Sequence, residues 1–407
     1  MKILTADYII TCNDNFDIIE NGAICFDETI IEIGKSKDII NKYGDAKLIW
    51  AGENSVILPG LINSHVHLEF SANKTSLKYG DFIPWLNSVI RNRDEILHNS
   101  TQGCIENELE NMLKSGTTTL GEISSFGDDF DACIKTPQKV VYFTEILGSR
   151  ADTVDVLFND FKSKLQQSEE YRSPTFIPAI SIHSPYSTHP ILAKHALDIA
   201  REKDYLVSTH FMESQAERDW LDDGSGDFIE FFNAFAPNAK PLTNSLDYLD
   251  LFHDTKTLFT HCTKAEQREI DRIKELGGYI THCPVSNRLL NSGRLGIENI
   301  DKNMLNLGTD GLSSNISLSL WDEMRMALMI HHLGDLEKLS KQLLKMSTIN
   351  AATALGLNNG VLDKAKDADI ITIKMPDKLT SCDNLCTQLI LHSQTVDKTY
   401  INGKEIK

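Results

Sequence analysis

Val56-Ile57-Leu58-Pro59-Gly60-Leu61-Ile62-Asn63-Ser64-His65-Val66-His67 is an apolar run that ends in two histidines one residue apart. In a strand, alternate side chains point to the same side, so the two imidazoles can reach one metal ion together. A lone His-x-His pair is a weak signal, because surface histidines produce it by chance. Its weight here comes from seven later β-rich runs: Thr117–Ser124, Val140–Leu147, Thr175–Ser184, Tyr205–Glu213, Thr257–Cys262, Gly278–Pro284 and Met304–Asp310. Segments between them, among them Gln102–Lys114, Pro190–Glu202, Ala265–Leu276 and Leu318–His331, carry amphipathic helical periodicity. Strands alternating with helices imply a parallel sheet, and the repeat number points to a (β/α)8 TIM-type barrel.

The two ends of the chain read differently. Residues 1 to about 55 form short strand-like runs with turns at Asn13-Asp14-Asn15 and Glu20-Asn21-Gly22. The tail repeats that pattern at Asp369–Lys374 and Lys398–Lys404. Neither end is long enough to build a good core alone. They are expected to pair into a small β-sandwich domain, 1–55 plus 365–407, around a barrel of residues 56–364.

The polar residues at the ends of the eight runs form a constellation. Run one ends in His65 and His67, and runs four to seven in His183, His210, His261 and His282; run eight ends in Asp310. A barrel brings all these strand ends to its C-terminal face, where active sites lie. Imidazole and carboxylate ligands suit zinc or iron(II) better than magnesium or calcium. In a catalytic site such ligands leave a position for water, whose pKa falls toward about 7. Glu213 follows His210 by three residues. A helix starting after the strand would point that carboxylate back over the pocket as a general acid and base.

Composition narrows the class. A 407-residue chain with a formal net charge of −18 does not suit general binding to nucleic acid or to a membrane surface, since both repel an acidic protein. It leaves room for an anionic small ligand held by a local arginine. The eight cysteines form no C-x-x-C pair, and no secretory signal or bilayer-length apolar stretch is evident. They read as reduced thiols of a cytoplasmic protein.

Five segments carry a family resemblance: Pro59–His67, Thr209-His210-Phe211-Met212-Glu213, Thr260-His261-Cys262, His282-Cys283-Pro284-Val285-Ser286-Asn287 and Gly308–Asn315. Together they resemble the amidohydrolase superfamily, closest to its branch of mononuclear chlorohydrolases and S-adenosylhomocysteine deaminases. The resemblance implies one divalent metal per chain on His65, His67, His210 and Asp310, with zinc expected and iron(II) accepting the same ligands. Glu213 would protonate a ring nitrogen and pass a proton to the leaving group. His261 would orient the attacking water, with Asp310 also accepting its proton. His183 would contact the substrate near the reacting ring, and Ser286 and Asn287 are expected to line the substrate site. His282 reads as a buried, hydrogen-bonded histidine. Binuclear members of the superfamily need a carboxylated lysine late in strand four, and run four has no lysine. The zinc site of cytidine deaminases is missing too: His67-Leu68-Glu69 matches half of its signature, but Cys382 and Cys386 have the wrong spacing for the rest.

The implied reaction is hydrolytic loss of ammonia from an aminopurine nucleoside. His67-Leu68-Glu69-Phe70 and the length of the loop after it resemble the aminofutalosine deaminases, which turn 6-amino-6-deoxyfutalosine into futalosine on a route to menaquinone. Deamination of S-adenosylhomocysteine, methylthioadenosine or adenosine is the nearest alternative, followed by a guanine or triazine substrate. A non-catalytic scaffold would lack ligands that this chain retains. Glu69, Phe82 and Trp85 are candidates for shaping the substrate pocket, although loop aromatics also pack against a barrel. Arg150 either holds a substrate carboxylate in bidentate fashion or makes a surface salt bridge. Arg288 and Arg294 share that ambiguity. The expected partners are a small purine nucleoside and, as the commonest soluble assembly, a second copy of the chain.

Overall fold

The computed structural model describes residues 1–72, 74–234, 238–332, 334–379 and 381–406. Positions 380 and 407 of the expected terminal β segment fall outside them. In chain order the strands are β1 Lys2–Ile10, β2 Ile18–Phe26, β3 Ile30–Lys35, β4 Lys47–Trp50, β5 Ser55–Pro59, β6 Leu61–Val66, β7 Thr117–Ser124 and β8 Lys139–Ile146. Then come β9 Phe176–Ile182, β10 Val207–Phe211, β11 Thr257–His261, β12 Tyr279–His282, β13 Leu305–Leu307, β14 Ile370–Lys374, β15 Lys398–Ile401 and β16 Lys404–Glu405. They fall into two sheets. By packing, the chain divides into two compact units: Met1–Asn63, Leu109–Leu120 and Ser319–Lys407 form one, and Ser64–Glu108 with Gly121–Leu318 the other.

The terminal strands form a mixed sheet in the order β16-β15-β14-β5-β1-β2-β3, with β4 also on β1. One edge of β1 serves two parallel partners in turn, β4 along Lys2–Thr5 and β5 at Tyr8 and Ile9. β14 from the C-terminal segment then pairs antiparallel with β5, from Ile370 opposite Pro59 to Lys374 opposite Ser55. Both faces are covered, as the side-chain alternation requires. Leu4, Ile24, Phe26, Ile57, Ile370 and Tyr400 share one core. Ile3, Ala23 and Cys25 share the other with Ile39 of the helix Ser36–Lys42.

Strands β6 to β13 form the TIM-like barrel sheet in chain order. The registers from β8 through β13 are all parallel. Parallel neighbours need crossover connections, and helices such as Val154–Glu169 and Pro190–Lys203 supply them. The second of these begins with Pro190, whose missing N–H costs nothing in the first turn, and ends at Asp204 with a left-handed φ of 53°. Every residue of β7 and β8 is buried, as expected for a sheet covered on both faces.

Run one departs from the expectation of a single strand. Val56–Pro59 belongs to the mixed sheet and Leu61–Val66 to the barrel. The change happens at Gly60. Its N–H donates to the Asp369 carbonyl, while the next N–H, of Leu61, donates to Gly116. A Cβ on Gly60 would lie 2.2 Å from Oγ1 of Thr118, so only hydrogen fits there. Run eight is also shorter than expected, with a strand of only Leu305–Leu307. Beyond it the backbone leaves the sheet and bonds to β6: the N–H groups of Thr309 and Asp310 both donate to the His65 carbonyl, each at 3.0 Å.

No helix among the described residues is long and apolar enough to cross a membrane. None of the eight cysteines, all of them among the described residues, forms a disulfide. At the seam between β13 and β6, a Cβ on Gly308 would sit 2.9 Å from the His65 carbonyl oxygen and 2.8 Å from its Cβ. Gly308→Ala is therefore expected to lower stability by about 1–3 kcal/mol through forced backbone movement. A urea midpoint equal to that of the unchanged chain would refute this close approach.

Candidate active site

Each strand-end residue arrives at the barrel's C-terminal end by a local device. Asp310 has φ 60°, a left-handed conformation that turns it out of β13. Gly311 then donates its N–H to Oδ1 of Asp310 at 2.8 Å. Oδ2 accepts from the Ser286 and Ser314 hydroxyls at 2.8 and 2.9 Å. So held, Oδ1 lies 3.6 Å from Nε2 of His67 and 3.9 Å from Nε2 of His65. Nε2 of His67 is 3.2 Å from Nε2 of His210. The Nδ1 of His210 faces the His183 carbonyl at 2.8 Å and must donate to it, since a carbonyl only accepts. The neutral ring therefore presents a lone pair at Nε2, toward the cluster.

Glu213 depends on a second carboxylate. Met212 has φ 49°, and its N–H donates to Oε1 of Glu217 at 2.9 Å; the N–H of Glu213 donates to Oε2 at 2.8 Å. Glu217 sits in the first turn of the helix Gln215–Asp223, which starts at N-cap Ser214, whose hydroxyl accepts from the Glu217 N–H. Thus the helix after β10 reaches back and fixes the turn that aims Glu213. Burial, reinforced by the charges of Asp310 and Glu217, holds the Glu213 carboxyl well above the usual carboxylate range. It is a proton donor in a dry setting.

His261 ends β11 with φ 74° and is fully buried. Its Nδ1 meets Oδ1 of Asn287 at 2.8 Å. An amide oxygen only accepts, so Nδ1 carries the proton and Nε2 carries the lone pair. That Nε2 has no hydrogen-bond partner and lies 3.6 Å from Glu213 and 3.9 Å from Asp310. Asn287 also donates toward Nδ1 of His282 at 3.4 Å, which places His282 behind the site as a buried, bonded histidine. Burial pushes the pKa of His65 and His261 down and takes that of His210 to about 3. Asp310 goes the other way. Burial raises it, but His67, His261, His210 and the Ser286 hydroxyl outweigh burial and leave it lowered. Neutral imidazoles beside an ionised carboxylate are the protonation states that metal ligation requires.

The donor geometry fits a divalent ion. Ligating atoms of His65, His67 and His210 lie within 4.8 Å of one another, as do those of Glu213, His261 and Asp310. Two ligand atoms each about 2.0–2.2 Å from one ion lie at most about 4.4 Å apart. The separations of 3.2 Å for His67 and His210, 3.6 Å for His67 and Asp310 and 3.9 Å for His65 and Asp310 fall within that limit.

Other expected site residues are placed differently. Ser286 and Asn287 are buried and serve Asp310 and His261 through hydrogen bonds, one step removed from any ligand. Glu69 is fully buried and accepts backbone N–H bonds from Ser125, Phe126, Gly127 and Asp128 at 2.7 to 3.0 Å. Its carboxylate binds the loop after β7, since four converging donors occupy its acceptor sites. The expected loop at Phe82 and Trp85 is the first turn of a helix, Phe82–Asn99, and Phe82 packs within 6.3 Å of Tyr186 and Phe228. Trp85 donates its indole N–H to the Ser313 carbonyl. His183 holds Ser187 with Nδ1 at 2.5 Å and stands 5.1 Å from the His210 ring. Arg150 is 70% exposed and binds Asp152 in bidentate fashion through the Nε–Nη2 edge of its guanidinium. Of the two readings open for it, the surface salt bridge is the one observed, and Arg294 likewise pairs with Glu298.

Glu145 escaped the sequence reading. It is the penultimate residue of β8, where no histidine marked the run, yet its carboxylate reaches within 4.8 Å of His183 and His210 ligand atoms. Hydroxyls of Ser125 and Ser181 hold it at 2.5 and 3.2 Å. A charged residue in an otherwise buried strand was the available signal.

Residues 56–406 match the model of the Amidohydrolase family. The aminodeoxyfutalosine deaminase of a Nitratiruptor species is 45% identical over 95% of this chain and 96% of its own length. The adenosine deaminase of Helicobacter pylori is 36% identical over 100% of this chain and 99% of its own. In three dimensions, Helicobacter pylori aminofutalosine deaminase in complex with methylthio-coformycin superimposes with a TM-score of 0.94 at 34% identity, covering 100% of both chains. A match that begins before the first strand-end histidines and runs past the last strand makes this chain a member of the amidohydrolase family.

Proposed function

We propose that this chain is a metal-dependent hydrolytic deaminase of an adenine nucleoside, with 6-amino-6-deoxyfutalosine as substrate and futalosine and ammonia as products. The observation that carries the reading is the meeting of His65, His67, His210 and Asp310 with a protonated Glu213 and a His261 whose lone pair is set by Asn287. The 45% identical relative supports the choice of nucleoside. The 36% identical adenosine deaminase keeps plain adenosine as the second reading. In this proposal the barrel strands from Leu61 to Leu307 carry the catalysis, and the mixed sheet built from both termini, which includes Ser55–Pro59, is the companion β domain. Zinc is the expected ion, iron(II) fits the same ligands, and the free thiols suit the cytoplasm. The product would feed a route to menaquinone.

His65, His67, His210 and Asp310 would hold a divalent ion, which when bound would make hydroxide available from water at neutral pH. The residues do the rest. Glu213 donates its proton to the ring nitrogen beside the amino-bearing carbon, which makes that carbon electrophilic. His261 offers the Nε2 lone pair to the attacking water and orients it. Asp310 accepts the remaining proton. Glu213, once ionised, takes that proton from Asp310 and delivers it to the amino group, whose bond to the ring carbon breaks as ammonia leaves; the proton given up when the next water becomes hydroxide restores Glu213. Glu217 and Asn287 act through their neighbours: one fixes the backbone of Glu213, the other the tautomer of His261.

Four measurements test this reading. Metal analysis of purified protein should find one divalent ion per chain, and His210→Ala should lose it; a metal-free chain that still releases ammonia from the nucleoside would refute the assignment. Glu213→Gln should keep the ion and lose about 10²- to 10⁴-fold in kcat, because an amide cannot shuttle the proton. Near-normal turnover would remove Glu213 from that role. Asn287→Ala should cost about 10- to 100-fold in activity by releasing the His261 ring, with the melting temperature little changed. A side-by-side comparison of kcat/KM on 6-amino-6-deoxyfutalosine, S-adenosylhomocysteine, methylthioadenosine and adenosine should favour the first. Equal values for all four would leave a deaminase without the narrow specificity.

A further inference from the structure

Eight of the eleven arginines hold a carboxylate within 4.0 Å, whereas Arg91, Arg93 and Arg288 have none among the described residues. Such a cation needs explaining in a chain of net charge −18. Arg93 is the one with a defined platform. Its guanidinium carbon lies 4.5 Å from the centre of the Phe126 ring. Phe126 meets Phe70 edge-on at 6.3 Å, and Phe70 meets His67 edge-on at 6.2 Å. A chain of ring contacts through the half-buried Phe70 and Phe126 thus runs from a strand-end histidine of the reaction site to the exposed Arg93.

The platform is rigid. The backbone of Ser125 to Asp128 is pinned by the buried Glu69 carboxylate, which sits two residues beyond His67 and one before Phe70. The helix that carries Arg93, Phe82–Asn99, is tied down near its start by the Trp85 indole bond to Ser313. Stacking on a ring holds the guanidinium plane while leaving its N–H edge open. That edge matches a planar carboxylate in bidentate fashion. In a protein whose overall field repels anions, an unpaired arginine linked to His67 through two aromatic rings gives the far end of an acidic ligand a partner.

We propose that Arg93, laid on Phe126, binds a carboxylate at the end of the substrate remote from its purine, and so selects an acid-bearing adenine nucleoside over a neutral one. This inference rests on the deaminase reading above and deepens it. The half-buried Phe70 ring, between His67 and Phe126, favours an aromatic acid over a phosphate, because it gives the ligand's own ring a surface.

The test uses metal-loaded wild type, Arg93→Gln, Arg93→Lys and Arg288→Gln, assayed on 6-amino-6-deoxyfutalosine, adenosine 5′-monophosphate and adenosine. In Arg93→Gln the kcat/KM ratio of the carboxylate nucleoside to adenosine should fall about 10- to 100-fold, through KM, as expected for losing a charged hydrogen-bond pair. Lysine should recover part of it, keeping the charge without the fork. An unchanged ratio in Arg93→Gln, or an equal fall in Arg288→Gln, overturns the assignment to Arg93. A wild type that prefers the monophosphate overturns the carboxylate. A wild type that deaminates neither acid-bearing nucleoside yet accepts adenosine also overturns this inference while sparing the deaminase. A holoenzyme that deaminates none of the three overturns both.

Discussion

One carbonyl oxygen, that of His65, receives the N–H groups of both Thr309 and Asp310, and the site depends on that seam. It brings the end of the last barrel strand against the first. Without it Asp310 and the His65–His67 pair, more than 240 positions apart in the sequence, have no reason to meet. Gly308 permits the approach because any side chain there would collide with His65. The resulting ring of strand ends is what turns scattered histidines into one donor set.

The second constraint is dryness. Buried ionisable groups settle into whichever protonation state costs least in a low dielectric. For His65, His210 and His261 that is the neutral ring, and for Glu213 the neutral acid. Asp310 is the exception, because the Gly311 N–H and the Ser286 and Ser314 hydroxyls all donate to its carboxylate. One physical cause therefore yields ligands with available lone pairs and an acid with a proton to give. Left-handed backbone at Met212, His261 and Asp310 is the accompanying strain, at about 1–3 kcal/mol for each such residue. The Glu217 carboxylate, Asn287 and the Ser286–Ser314 pair hold those turns and side chains in place.

Legibility in the sequence followed the kind of interaction involved. The barrel runs were readable because buried parallel strands must be apolar throughout, and Thr117–Ser124 appears in the structure with the bounds read from the sequence. Run one misled because apolar character is the same in two adjoining sheets; only the Gly60 contact with Thr118 divides them. Loop residues were the least readable. Glu69, Ser286 and Asn287 looked like ligand contacts from their places in motifs, yet each spends its polar atoms on protein groups. Arg150 follows a strand end as an anion-binding arginine would, but Asp152 two residues on captures it. Glu145 carried no motif at all.

The sequence by itself determined the elements, the register of polar residues at their ends and, through them, the family and the metal-type donor set. Those arise from local periodicity and from residue chemistry, which any stretch of chain displays without its partners. Tertiary structure alone decided which donors meet, which proton each holds, and which charged side chains remain open to a ligand. Those depend on burial and on distances between segments far apart in the chain. The two histidines of the opening stretch could be read in sequence order; the unpaired guanidinium resting on Phe126 could not.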